Sequence, residues 1–271
     1  MLPSIPGFVS KQLDLLGIVR VVFRAGSGPG VIVMTEVPGI TPEVARFSMW
    51  VAEAGFSVWM PQFLGIPLRP LTPGYVARSV ARVCISREFR MLAANESSPI
   101  VDWMRALARY AHAECGGPGV GAIGMCLTGN FALSMMLDAP VIAPVLAQPS
   151  LPVPLSSALK RGLHASPESI AAAHDKIEHH GARILAVRFQ GDPMCPPERF
   201  QRLREEFGDD FEGIEIDPQF AKPNAPKPAH SALTTHFLDG DGQPTRAALD
   251  RTLSFFRTQL LRPSTNKNPG G

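Results

Sequence analysis

An α/β fold is what this sequence predicts, with a mostly parallel, twisted sheet and helices on both faces. Short runs of β-branched and apolar residues recur along the chain. Each is followed by a stretch whose apolar residues repeat at helical spacing, and glycine, proline or a serine or threonine cap marks nearly every junction. With 271 residues, 45% of them apolar, the chain can bury one large core. A single domain is expected over residues 1–262, with an irregular, cap-like insertion at about 61–98 and a disordered tail at 263–271.

The elements follow in order. Residues 17–23 and 31–34 read as strands around the glycine-rich turn at 26–30, and the second run has the unbroken apolar character of a fully buried strand. Thr41 and Pro42 open a helix whose Val44, Phe47 and Val51 face inward, and Gly55 ends it. Residues 56–60 form the next strand. After the insertion, Ser98 and Pro99 start a helix with Ile100, Trp103, Met104, Leu107 and Tyr110 on one face. A strand at 120–124, a helix at 127–137 and a strand at 141–147 come next, then a proline-rich stretch at 149–154. Ser166-Pro167 begins a helix that Gly181 stops, 184–189 is a strand, and Phe200, Leu203 and Phe207 mark a helix ended by Gly208. Ile214 and Ile216 belong to one more strand, and a last helix runs over about 244–261.

Composition narrows the function classes. The net charge of +2 comes from 26 basic and 24 acidic side chains spread along the chain, without the basic clusters that nucleic acid or a membrane surface would require. A small-molecule substrate is the expectation, with neither nucleic acid nor membrane as partner; the oligomeric state is not legible. Cys84, Cys115, Cys126 and Cys195 lie far apart with no C-x-x-C pair, so neither a disulfide framework nor a zinc site is expected, and a reducing, cytoplasmic setting fits. Residues 1–10 lack the pattern of a signal peptide, and no run of about 18 apolar residues occurs. His174, His179 and His180 share one predicted helix without a carboxylate at metal-ligand spacing, and Asp239-Gly240-Asp241-Gly242 reads as a turn, so no metal and no cofactor is expected.

In a parallel sheet of this kind, ligands gather beyond the carboxyl ends of the strands. Gly124-Met125-Cys126-Leu127-Thr128-Gly129 lies where a predicted strand turns directly into a predicted helix, the setting of a nucleophile elbow. A helix N-terminus there would favour the Cys126 thiolate, and the backbone N–H of Leu127 would be free for an oxyanion. Taken alone, Cys126 reads more readily as a small buried apolar residue. Downstream, however, Asp192 follows the strand at 184–189 and His230 follows the strand around Ile214. The order nucleophile, acid, histidine is that of the α/β-hydrolase fold, with His230 as base and Asp192 orienting it. Glu36 closes the apolar strand at 31–34 on the same edge, either as a second partner for the thiol or as a solvated turn residue.

Glu36-Val37-Pro38-Gly39-Ile40, the elbow around Cys126, Gly191-Asp192 with Pro196 four residues beyond Asp192, and His230-Ser231 together resemble the dienelactone hydrolase family across nearly the whole chain. The resemblance implies a Cys126–His230–Asp192 triad that hydrolyses an ester or lactone through an acyl-enzyme, without a cofactor. It also implies that Glu36 couples nucleophile activation to substrate binding, and that the N–H groups of Val37 and Leu127 form the oxyanion hole. Two departures stand out. Thr128 takes the place of a glycine two residues after the cysteine, and His230 is followed by Ser231-Ala232-Leu233-Thr234 rather than by a closely spaced arginine, which argues against a carboxylate-bearing dienelactone as substrate. Arg87 and Arg90 in the insertion are candidates to approach a substrate anion. A carboxylesterase or thioesterase for bulkier apolar acyl groups remains an alternative, as does a non-catalytic binding or redox-sensing protein on the same fold.

Overall fold

Parallel strands must be covered on both faces, and the central strands here are buried along their full length. The computed structural model describes residues 2–69, 72, 74–75, 78–79, 98–151 and 153–261. Most of the cap-like insertion, the candidate residues Arg87 and Arg90, and the tail expected at 263–271 lie outside the described residues. Strands β1 (Val9–Leu15), β2 (Ile18–Ala25), β3 (Gly30–Met34), β4 (Ser57–Pro61), β5 (Val120–Met125), β6 (Val141–Ala147), β7 (Ile184–Phe189) and β8 (Phe211–Ile216) form one sheet in the order β1-β2-β4-β3-β5-β6-β7-β8. The β1–β2 and β2–β4 pairings are antiparallel, and β4, β3, β5, β6, β7 and β8 run parallel. Every residue of β3, β5, β6 and β7 is buried, the signature of parallel strands between two layers of helix.

Helix α1 (Pro42–Glu53) packs on β4, α2 (Pro99–Cys115) on β1, β3 and β5, and α7 (Pro244–Leu260) across β5 to β8. The others are α3 (Phe131–Ser134), α4 (Ser157–Arg161), α5 (Pro167–His180) and α6 (Pro197–Phe207). Their ends follow the expected capping chemistry. The Thr41 hydroxyl accepts from Val44 N at 3.2 Å, Ser98 from Ile100 N at 3.3 Å and Ser166 from Ser169 N at 3.2 Å, each with proline in the first turn. Gly181 stops α5 in the left-handed conformation, φ 59°. Among the described residues no helix is long and apolar enough to cross a membrane.

Two elements differ from the sequence reading. Strand β1 was not anticipated, because Val-Ser-Lys-Gln-Leu-Asp-Leu buries only Leu13 and carries the polar side chains typical of a sheet edge. The helix expected at 127–137 is instead a 3-10 turn over Cys126–Thr128 followed by the short α3. The Cys126 carbonyl accepts from Gly129 N at 3.0 Å, the 3-10 pattern, and from Ser150 N at 2.9 Å in the loop after β6, so the α-helical ladder does not start from it. The expected helix dipole behind Cys126 is therefore reduced to a single short turn.

His164, between α4 and α5, is buried with a left-handed backbone, and its Nδ1 has no hydrogen-bond partner among the described residues. Burial first, and the nearby Arg199 charge second, lower its pKa from 6.5 to about 4. As pH falls below 6.5 the unfolded chain takes up this proton before the folded one does, so stability drops between about 6.5 and 4. Chemical denaturation at pH 7 and pH 5 should show the wild type losing roughly 2 kcal/mol more than His164→Asn over that interval. Equal losses would remove His164 as the cause.

Candidate active site

Because β3, β5, β6, β7 and β8 are parallel, their carboxyl ends open onto one edge of the sheet, and the residues that follow them meet there. Glu36 follows β3, Cys126 follows β5, Gln148 and Ser150 follow β6, Asp192 follows β7, and His230 lies on the long connection after β8.

Cys126 has φ +56°, a left-handed conformation rare for a residue with a side chain. The sequence around it permits the sharp turn. A Cβ on Gly124 would stand 1.9 Å from Thr128 O, and one on Gly129 would stand 2.4 Å from Pro149 Cα, so glycine is required at both. Thr128, in contrast, replaces a glycine at no visible steric cost. It is buried, its Oγ1 accepts from Met125 N at 2.9 Å, and the same hydroxyl lies 3.1 Å from Met34 O. Its side chain thus ties the end of β5 to the end of β3. The Cys126 carbonyl accepts from Gly129 N at 3.0 Å and from Ser150 N at 2.9 Å, which fixes the elbow to the loop after β6.

His230 Nδ1 lies 2.7 Å from Asp192 Oδ2, and Asp192 Oδ1 accepts from Met194 N at 2.9 Å. Burial works against a charged His230, but hydrogen bonding to Asp192 and Cys126 and the charges of those two groups outweigh it, so the imidazole pKa is held well above its ordinary 6.5. Beneath these loops Arg199 is fully buried, and its guanidinium donates to Pro149 O at 2.6 Å, Gly162 O at 2.9 Å, Leu159 O at 3.0 Å and Met194 O at 3.3 Å. It joins the exit of β6 to the Asp192 loop.

Glu36 is 3% exposed and is not a solvated turn residue. Its Oε2 accepts from the Ser231 hydroxyl at 2.6 Å and from Gln148 Nε2 at 3.3 Å, and its Oε1 accepts from the Thr234 hydroxyl at 2.6 Å. Three neutral donors thus hold a buried carboxylate, which would otherwise be costly to withdraw from water. None of the described hydrogen bonds joins Glu36 to Cys126. Val37 N and Leu127 N are donors in none of the described hydrogen bonds either, and both residues are half-buried.

Cys126, Asp192, His230 and Glu36 therefore converge at one edge of the sheet, with Val37 and Leu127 beside them in sequence. Gln148, Ser150, Thr234 and Arg199 were not read as site residues. The first two directly follow β6, so the rule that carboxyl ends carry function was a usable signal. Arg199 gave none, since a lone arginine in an amphipathic helix reads as exposed. His174, from the histidine group on α5, lies 3.0 Å from Glu206 Oε1 and against the Phe207 ring.

The sequence model of the dienelactone hydrolase family matches residues 19–220. The chain belongs to the dienelactone hydrolase family. As a member it is a hydrolase acting on ester bonds. The matched stretch contains Glu36, Cys126 and Asp192 and stops before His230, whose place in the site rests on the geometry above. Comparison with curated proteins gives no match. Among solved structures, the chain is similar to a dienelactone hydrolase-like promiscuous phosphotriesterase from metagenomic libraries, with 15% identity and TM-score 0.62 over 94% of this chain and 99% of the other. A putative dienelactone hydrolase from Klebsiella pneumoniae subsp. pneumoniae has 15% identity and TM-score 0.61 over 92% and 98%. A dienelactone hydrolase from Anabaena variabilis has 13% identity and TM-score 0.58 over 93% and 98%. At these identities the likeness is one of fold: the mixed sheet with helices is that of the α/β-hydrolase.

Two substitutions test the elbow. Thr128→Val leaves Met125 N and Met34 O without the hydroxyl and should cost about 1–3 kcal/mol, at roughly 2–4 °C of thermal midpoint per kcal/mol. An unchanged midpoint would deny the tie between β3 and β5. Gly124→Ala should fail to yield soluble folded protein, because its clash is with backbone; normal yield and thermal midpoint would show that the turn can relax.

Proposed function

We propose that this dienelactone hydrolase family member cleaves a small ester or lactone through a Cys126 acyl-enzyme. The observation that carries the reading is the 2.7 Å contact of His230 Nδ1 with Asp192 Oδ2, beside a cysteine in the left-handed conformation of an elbow. Asp192 holds Nδ1–H, so Nε2 is the nitrogen that takes the thiol proton. The sulfur attacks the substrate carbonyl, and the oxyanion is held by Val37 N–H and Leu127 N–H. The protonated His230 then gives its Nε2 proton to the leaving alkoxide as the carbon–oxygen bond breaks. For deacylation His230 takes a proton from water, the hydroxide attacks the thioester, and the acid departs as Cys126 is restored.

In this reading Glu36 acts through position. Its carboxylate links the His230 loop, through Ser231 and Thr234, to the strand exit that carries Val37 N–H, so base and oxyanion donor keep a fixed separation. A site anion satisfied by neutral donors also disfavours a second carboxylate on the substrate, which supports uncharged esters or lactones over a carboxylate-bearing dienelactone.

Incubation with activated p-nitrophenyl esters and thioesters should produce an acyl adduct, seen by intact mass and mapped to the Cys126 peptide. Cys126→Ala should abolish both adduct and turnover while keeping the wild-type melting curve; full activity in that variant would sink the nucleophile assignment. Glu36→Gln places an amide where two hydroxyls now donate, and kcat should fall by about 10-fold or more, the loss of one charge-assisted hydrogen bond. Wild-type kcat would remove Glu36 from the machinery.

A further inference from the structure

Ser150 touches both halves of the proposed nucleophile–base pair. It is fully buried in the loop after β6. Its backbone N–H donates to Cys126 O at 2.9 Å, so its position is set by the nucleophile's own residue. Its hydroxyl donates to Gln148 O at 2.9 Å, and the same oxygen lies 3.5 Å from His230 Nε2. A serine hydroxyl has one proton and two lone pairs. With the proton committed to the Gln148 carbonyl, the side facing His230 is an acceptor. Asp192 occupies the other ring nitrogen, so Nε2 carries a hydrogen only when the ring is an imidazolium.

We propose that Ser150 is a positioning residue whose hydroxyl accepts from the His230 imidazolium Nε2–H alongside the Cys126 sulfur, stabilising the thiolate–imidazolium pair over the neutral thiol and imidazole. The inference rests on the triad reading above. In the neutral state the Ser150 lone pairs face the Nε2 lone pair, which is unfavourable unless the hydroxyl abandons Gln148 O. In the charged state Nε2–H has two acceptors. In the tetrahedral intermediate, when the sulfur is bonded to carbon and is a poor acceptor, the Ser150 oxygen still holds that hydrogen in place until it passes to the leaving alkoxide. No proton passes through serine in this scheme. The longer separation is that of a second, weaker acceptor.

Among the described residues, the other charged or titratable groups near the ring are Asp192 after β7, Cys126 after β5, Glu36 after β3, held by the neighbouring Ser231, and His236 in the same loop, with the buried Arg199 and Cys195 behind Asp192. His236 Nε2 lies 2.6 Å from Pro226 O and its Nδ1 accepts from Ser231 N at 3.1 Å, the pattern of a neutral ring; its pKa is lowered, chiefly by burial and also by the His230 charge. Removing the Ser150 hydroxyl leaves the hydrogen bonds of Asp192, Glu36 and His236 in place.

The test is the pH dependence of Cys126 alkylation by iodoacetamide, read at the Cys126 peptide by mass spectrometry for wild type, Ser150→Ala, Ser150→Thr and His230→Ala. In Ser150→Ala the window of thiolate–imidazolium should narrow, its acid midpoint rising and its alkaline midpoint falling by about half to one pH unit each, as expected for losing one weak acceptor to a charged group. Ser150→Thr, which keeps the hydroxyl, should retain the wild-type profile. Superimposable profiles for wild type and Ser150→Ala would overturn the inference and leave the triad standing. So would a threonine variant that shifts as far as alanine, since packing would then be the cause. If alkylation in the wild type does not depend on His230, the nucleophile–base pair itself fails and the inference with it. Should the alanine protein not fold, Ser150→Gly removes the same hydroxyl with less bulk and is read in the same way.

Discussion

A carboxylate withdrawn from water must be surrounded by donors, and the way Glu36 meets that requirement organises the loops at the functional edge of the sheet. Ser231 and Thr234 come from the connection after β8, Gln148 from the exit of β6, and Glu36 itself from the exit of β3. Three separate segments are thereby drawn to one buried anion. Since His230 immediately precedes Ser231, the hydrogen bond that satisfies Glu36 also sets how far the imidazole stands from the elbow. The Glu36 donors are three neutral groups, two hydroxyls and one amide.

A second layer of buried polar bonding supports this arrangement from below. Arg199 spreads its guanidinium over backbone carbonyls on either side of the β6 exit and the Asp192 loop, and Arg188 donates to Cys195 O at 2.9 Å in that same loop. Backbone carbonyls in irregular segments have no ladder to satisfy them, and a planar cation with several donors is suited to collect them. The loops carrying Ser150 and Asp192 are thus fixed to each other as well as to the sheet. The strained backbone of Cys126 persists because its surroundings over-determine it: two glycines allow the turn, Thr128 ties it to β3, and Ser150 N–H holds its carbonyl.

Most of the fold was legible because the physics involved is local. Apolar runs marked β3, β5 and β6, a run interrupted only by Arg188 marked β7, and Thr41, Ser98 and Ser166 with their prolines marked helix starts to within a residue. The misses have a common physical origin. Strand β1 is held by pairing with β2 and buries only Leu13, and its alternation of Val9, Leu13 and Leu15 is interrupted by Lys11, which leaves a weak strand signal. The segment after Cys126 has helical composition, but the Cys126 carbonyl is taken by Gly129 N and by Ser150 N from a distant loop, and this tertiary pairing prevails over propensity. Cys126, Asp192 and Glu36 could be picked out because strand ends are local features, and His230, on the long connection after β8, because of the short motif around it.

The sequence by itself determined the class of fold, the strand ends on which reactive side chains stand, and the family whose chemistry those side chains resemble, since each depends on neighbours a few residues apart. Only the tertiary structure decided what the side chains bind. That Glu36 is buried and held by Ser231, Thr234 and Gln148, that Thr128 serves as a tie instead of an obstruction, and that Ser150 stands between Cys126 and His230 all depend on residues about 20 to 200 positions apart brought within hydrogen-bond distance. Donor–acceptor distances and burial are properties of that packing, and no periodicity along the chain encodes them.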